Sequence, residues 1–416
     1  MNTPLSLSGD GDVPLSFSNL PAELVDNVID HLRGDAVALS ASSLTHSSMR
    51  VRAQFHLFHT ICFTPQRWSE YKELVKMSPH LGYAVHHLII TQPVSSLFKL
   101  ESQDSCSFIE LSKPQAERTA PLFPAVTKLQ LTRLDHTALF IPLLRNVCDT
   151  HIVESIRMHI CVIPTMAYVA EFICSFPRLK KLAISDLFTR DAYAAGRRKE
   201  TSIEGPVPIA FRPSIEVLRF PSACTLGEVN SISMVKWLFE RSMHVHLTTL
   251  EIIVARQEDA VVLRMVLHQL GPRLQHLYLG VEQLTEDASF SKPLTLSHST
   301  SLRTFGLWSL KLHGDEGRPR PSLAWVPRLL MELNSSALEH VHFRLRAGGA
   351  LPSDLGTLDW AAVNDILCEH RFDSLRRVTI EVLRGHGIKD VLWPHVKDRI
   401  ADLYARRTVL YTQTDA

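Results

Sequence analysis

One phrase returns along most of this chain: an apolar residue, two variable ones, an apolar residue, one variable residue, and an apolar residue again. Its clearest copies are "LKKLAI" from Leu179, "LTTLEI" from Leu247, "LQHLYL" from Leu274, "LRTFGL" from Leu302, "LEHVHF" from Leu338 and "LRRVTI" from Leu375. Looser copies begin at Val85, Val126, Val153 and Ile215. From Val126 onward the starts lie 26 to 37 residues apart, which leaves room for one strand and one helix per copy. The stretches between them space their apolar residues as helices do: "PTMAYVAEFICSF", "EVNSISMVKWLFERSM", "DAVVLRMVLHQLG", "PSLAWVPRLLMELNS" and "DWAAVNDILCEHRF". A strand and a helix in alternation predict an α/β fold with a parallel sheet and helices on one side. One unit cannot bury its own apolar face, so the units are expected to stack into a curved solenoid over residues 83–393.

The chain ahead of this array reads differently. In "NLPAELVDNVIDHL" (residues 19–32), Leu20, Leu24, Val28 and Leu32 recur at steps of four, and Val25 and Ile29 widen the stripe. Pro21 suits a first helical position, Glu23 suits the first turn, and Gly34 is a natural stop. A second helical segment, "AVALSASSLTHSSMRVRAQF", follows, and "HLFHTICF" ends extended. Three short helices cannot bury six apolar positions of the first among themselves. Part of that face must meet something else, either another protein or the rest of this chain.

At these residues the sequence resembles an F-box over 17–63. The first helix of that family begins L-P-x-E-[LI], and its later part reads much like "ASSLTHSSMRVRAQFHLF", with Leu44, Met49, Leu57 and Phe58 at matching places. Two positions depart: Ser42 stands where Cys is usual and Met49 where Trp is usual. Met is flexible enough to fill such a pocket. The resemblance implies docking onto the Skp-type adaptor of an SCF ubiquitin ligase, and through it onto cullin and RING subunits. Leu20, Pro21, Glu23, Val28, Leu32, Leu44 and Met49 would make the contact. The array resembles the leucine-rich-repeat solenoids that follow many F-boxes, with parallel strands on the concave face and helices on the convex one. An unrelated α/β arrangement is the other reading. The family often places Asn or Cys just beyond each strand, where the side chain bonds the turn backbone. Here Leu134, Cys161, Leu187, Ala255, Glu282 and Leu310 stand there, and only Cys161 matches, so the solenoid is expected to be irregular. The resemblance implies the substrate-recognition subunit of such a ligase, with an interaction scaffold outside any ligase as the alternative.

Strand alternation picks out a binding face. The residues expected to point outward include Arg157, His159, Lys181 and Arg219, then His276, Tyr278, Thr304 and Trp308, then His340, His342, Arg344, Arg377 and Glu381. Trp, Tyr, His and Arg on neighbouring strands are the types that dominate binding hot spots. Tyr278, Trp308, His340, His342 and Arg344 are therefore the expected contacts to a protein substrate.

The chain offers no chemistry of its own. It has no phosphate-binding Gly-rich loop, no dinucleotide fingerprint and no nucleophile elbow. The H-x-H pairs His244/His246 and His340/His342 lack a further ligand at metal spacing. "GDGD" at 9–12 lacks the rest of a calcium loop. No catalytic residue, metal or cofactor is expected, although a site assembled from residues distant in sequence would leave no such trace. Seven scattered cysteines without a C-x-x-C pair fit reduced core thiols. Lys plus Arg number 44 against 43 Asp plus Glu, so no whole-molecule field draws in nucleic acid or anionic lipid. The basic "AGRRKE" at 195–200 reads as a solvated loop. No apolar run is long enough to span a bilayer and no secretory leader is evident, which predicts a cytoplasmic or nuclear protein. The remaining divisions are a flexible tail at 1–16, a linker helix at 64–82, flexible loops at 285–300 and 313–322, and a C-terminal cap, helix then strand, at 394–416.

Overall fold

The computed structural model describes residues 20–64, 67–92, 120–134, 140–163, 165–189, 211–221, 231–254, 257–281, 294–312, 323–346, 357–383 and 389–414. The tail at 1–16, the loop at 313–322, "GDGD", "AGRRKE", Cys106, Cys224, Ala255 and Glu282 lie outside these residues.

Three helices come first: α1 (Ala22–His31), α2 (Ala36–Thr45) and α3 (Ser47–Phe58). Gly34, at φ +106°, turns the chain out of α1, a conformation open to glycine and strained for other residues. The Asp35 carboxylate then caps α2 by accepting from the Val37 and Ala38 amides at 3.1 and 2.9 Å. Ile29, Leu39 and Ala53 form a small core of their own, with Leu32, Met49 and Leu57 packed against it. Asp30 pins α1 to α3. It accepts from Arg52 at 2.6 and 2.7 Å and lies 2.7 Å from His56 Nε2. These two partners hold its carboxyl well below the usual carboxylate range.

Residues 64–82, expected as one linker helix, hold the body of two: α4 (Trp68–Met77) and α5 (Pro79–Ala84). Pro79 explains the break, because its ring cannot continue α4 but is pre-set for the first turn of α5. Leu81 and Ala84 of α5 are buried, and α5 packs against α3.

The body is a single sheet of twelve parallel strands whose spatial order is their chain order. They are β1 (Thr60–Phe63), β2 (His87–Thr91), β3 (Lys128–Thr132), β4 (Ser155–Ile163), β5 (Lys181–Thr189) and β6 (Val217–Arg219). Then come β7 (Thr249–Val254), β8 (His276–Val281), β9 (Thr304–Lys311), β10 (His340–Arg346), β11 (Arg377–Leu383) and β12 (Thr408–Thr414). Each of the ten apolar phrases leads into one strand, β2 to β11. All five helical stretches read from the sequence contain helix, at Met166–Cys174, Ser231–Glu240, Gln257–Leu270, Trp325–Met331 and Trp360–Leu367. A further helix at Phe140–Val147 lies in a stretch given no assignment from sequence. The extended end of "HLFHTICF" becomes β1, and the strand of the C-terminal segment becomes β12, paired along its length with β11.

Crossovers between parallel neighbours are right-handed, so a sheet wound in one direction collects its helices on one face. Burial agrees: inward strand residues such as Leu129, Leu131, Leu277, Leu279, Val341 and Phe343 join the helices in one continuous core. The other face, the open face of the sheet, is exposed only in part: Lys128, Arg157, Lys181 and Arg219 are exposed on it, whereas Thr249, Glu251 and Ile253 of β7 are buried.

Arg133 just past β3, Ile160 within β4 and Asp186 within β5 share an unusual feature: each has φ between +52° and +56°. Pairing of β4 with β5 passes from His159–Ser185 straight to Cys161–Leu187. The left-handed residue thus shifts the alternation by one, so that Met158 and Cys161 both face the core. Ser309 of β9 repeats the device. Cys161 is buried with its thiol 3.5 Å from the Leu131 carbonyl, and burial pushes its pKa up to about 11. Leu134, Leu187 and Leu310 occupy the corresponding positions and are buried too. Cys148 and Cys174 are also buried free thiols, whereas Cys62 is exposed.

Candidate binding surfaces

Two surfaces carry the residues singled out from the sequence. The first lies on the three helices. Of the two apolar rows on α1, Val25 and Ile29 are buried, but Leu24 and Val28 are 51% and 49% exposed. Leu20, Pro21 and Glu23 are exposed as well, and Leu44 on α2 is 80% exposed. Leu32 and Met49 are placed differently, half-buried against the small core. Val37 and Val51 are exposed apolar residues that the resemblance did not indicate. Their one sequence signal is an apolar side chain off the buried stripe.

The second surface is the open face of the sheet. Pairing sets one row across it: Arg157, Ala183, Arg219, Glu251, Tyr278, Gly306, His342 and Thr379. Tyr278 and Trp308 meet with ring centroids 5.0 Å apart. Gly306 lies beneath Tyr278, and a Cβ added there would come within 2.3 Å of the tyrosine ring. The Arg344 guanidinium lies 4.2 Å from the centre of the Trp308 ring and donates to Glu381 at 2.7 Å. His342 Nε2 is 3.1 Å from the same carboxylate. His340 lies 2.8 Å from the Thr379 hydroxyl, and its ring is parallel to that of His342 at 6.1 Å. The five expected contacts therefore adjoin one another. All are partly buried, and the indole N–H of Trp308 is buried without a hydrogen-bond partner.

Thr304 and Glu381, expected to be exposed, are buried. They lie on the open face, but Thr304 is covered beside His276, whose ring is 3.0 Å from its hydroxyl. Glu381 is enclosed by Arg344 and His342. Glu251 was not singled out from sequence and is buried too. Burial pushes its pKa up to about 7, against the pull of Arg219 at 3.6 Å. Burial likewise holds His276, His340 and His342 below the usual histidine value.

Such a face offers hydrogen bonds, ring contacts and fixed charge to a ligand laid across it. Among the described residues no three His, Cys, Asp or Glu side chains gather where a metal ion could be held. None of the described helices is long and apolar enough to cross a membrane. A comparison with protein-family models and with curated proteins finds no match to this chain.

Proposed function

We propose that this chain is the substrate-recognition subunit of an SCF-type ubiquitin ligase. Residues 17–63 act as an F-box that docks on the Skp-type adaptor. The twelve-stranded body acts as an irregular leucine-rich-repeat-like solenoid that holds a target protein on its open, concave face. Ubiquitin transfer belongs to the cullin–RING assembly and its E2 partner. This chain contributes proximity, making the target effectively intramolecular to the transfer machinery.

The observation that carries this reading is the division of α1 into two apolar rows. Val25 and Ile29 are buried, Ile29 in the small core, whereas Leu20, Leu24 and Val28 are left toward solvent, with Leu44 exposed on α2. An apolar row that its own fold leaves uncovered marks a surface for a partner. Leu20, Pro21, Glu23, Val28 and Leu44 supply the exposed part of that contact, and Leu32 and Met49 support it from behind. On the sheet, Tyr278, Trp308, His340, His342 and Arg344 form the target-binding group.

The test is co-purification with a Skp-type adaptor, using the native chain and Val28→Asp. Capture by the native chain and loss in the folded variant are expected. Capture of nothing by the native chain would leave an interaction scaffold that works outside a ligase.

A further inference from the structure

Two seats lie side by side on the open face of β3 to β6, each with a small residue as its floor and a cation on either side. Ser155 of β4 stands in register between Lys128 and Lys181. Ala183 of β5 stands in register between Arg157 and Arg219. All six residues line one hollow of about 370 Å³. The four cations are exposed at its rim. Among the described residues, Lys128, Arg157 and Lys181 have no carboxylate at ion-pair distance, and Arg219 reaches Glu251 only at 3.6 Å. Four like charges around one hollow repel each other, and an anion placed among them relieves that repulsion. The His87 ring on the same rim shows the field: burial first, then Lys128 and Arg157, lower its pKa.

The spacing of the seats narrows the ligand. They are one strand apart across the sheet and two residues apart along it, which places their centres roughly 8 Å from each other. On one side of an extended peptide, side chains i and i+2 are about 6.6 Å apart, close enough for flexible acidic side chains to reach both seats. A single compact anion fills one seat and leaves the other pair of cations facing each other. Nucleic acid fits less well. The chain has a formal net charge of +1, and the Trp308 ring on which a base would stack is already covered by Arg344 and edged by Tyr278.

We propose that the open face of β3 to β6 binds an extended acidic segment of a protein partner, with carboxylates at alternate positions. One carboxylate sits over Ser155 between Lys128 and Lys181, the other over Ala183 between Arg157 and Arg219. The proposal rests on the reading of the open face as protein-recognising and names the chemistry of the target.

The experiment titrates the full chain into a fluorescein-labelled peptide centred on Glu-Ser-Glu and follows anisotropy at low and moderate salt. Controls are Gln-Ser-Gln, Glu-Ser-Ser-Glu, a peptide with one phosphoserine, and an oligouridine. Arg157→Glu and Lys181→Glu are compared with Lys181→Arg and with the remote reversal Lys236→Glu. The expected result is binding of Glu-Ser-Glu at least tenfold tighter than Gln-Ser-Gln and severalfold tighter than Glu-Ser-Ser-Glu. Arg157→Glu and Lys181→Glu each weaken it at least tenfold, while Lys181→Arg and Lys236→Glu leave it within about twofold. The three side chains altered, Arg157, Lys181 and Lys236, are exposed, so the variants are expected to fold, and circular dichroism checks this. Equal binding of the Gln peptide, indifference to the two reversals, or tighter binding of phosphoserine or oligouridine would overturn the proposal. Adaptor capture is measured on the same preparations. Failed peptide binding with capture intact rejects the acidic segment alone; failed capture with peptide binding intact rejects the ligase reading alone.

Discussion

The Arg344 guanidinium lies 4.2 Å from the centre of the Trp308 ring, joining β10 to β9 through a cation over an aromatic face. The same group donates to Glu381 on β11 at 2.7 Å, so one side chain bridges three strands. Glu381 is only 8% exposed, and the His342 ring lies 3.1 Å from the same carboxylate. Arg344→Ala is expected to destabilise the chain by about 2 kcal/mol, because it removes a charge-assisted hydrogen bond from a buried carboxylate together with the contact to the Trp308 ring. Arg344→Lys keeps the charge but loses the flat ring contact, and should fall between the two. Urea unfolding measures both. An unchanged midpoint for Arg344→Ala would mean that the Arg344–Glu381 bridge adds nothing to stability.

Gly306 makes the aromatic step possible. A Cβ at that position would sit 2.3 Å from Tyr278 Cδ1 and 3.0 Å from Cε1, too close to the root of the ring for a small rotamer change to relieve. Gly306→Ala should cost about 1–3 kcal/mol through overpacking and alter the near-ultraviolet dichroism of Tyr278 and Trp308. Combined with Tyr278→Ala, which removes the obstructing ring, Gly306→Ala should add less than its cost alone. Strict additivity would place the strain elsewhere.

Glu251 predicts a pH dependence. Burial raises its pKa from an ordinary 4.5 to about 7, outweighing the attraction of Arg219. The folded chain therefore holds this proton more tightly than the unfolded chain does. Between pH 4.5 and 7 the folded state binds more protons, so this residue's contribution is complete below that window and is lost as pH rises through it. Glu251→Gln removes the slope and is expected to gain up to roughly 3 kcal/mol over the native chain at pH 8. Chemical denaturation at pH 5, 6, 7 and 8 compares them. Parallel curves would show that the carboxylate is ionised throughout.

Strands β2 to β11 were legible because the same apolar phrase leads into each, and a period-two pattern fixes which side chains face the core. That pattern placed Tyr278, Trp308 and His342 on the open face. It could not tell that Thr304 and Glu381, on the same face, would be covered, since cover comes from neighbouring side chains on other strands. The seats at Ser155 and Ala183 were invisible for a related reason: only the register shows that cations flank each small residue. Nor did the chain announce the left-handed residues at Arg133, Ile160 and Asp186. None is Gly or Asn, and Ile160 is β-branched, so the conformation is imposed by strand stacking against local preference. On α1 the six apolar positions were plain, but their division into a buried and an exposed row depends on where α2 and α3 pack.

That division gives the last prediction. Val25 is 2% exposed and Val28 is 49% exposed, although both lie on the apolar stripe of one helix. Val25→Asp puts a carboxylate at a buried position of α1, and should destabilise the three-helix unit by about 3 kcal/mol or more. Val28→Asp leaves its charge in water and should change stability by about 0.5 kcal/mol or less. Hydrogen exchange over α1 to α3 reads this difference without any partner present. If both variants lose protection equally, Val28 is covered by its own chain, and the docking face loses its central residue. If only Val25→Asp does, a failure of Val28→Asp to capture an adaptor reports on the contact itself, because the helix that presents it is intact.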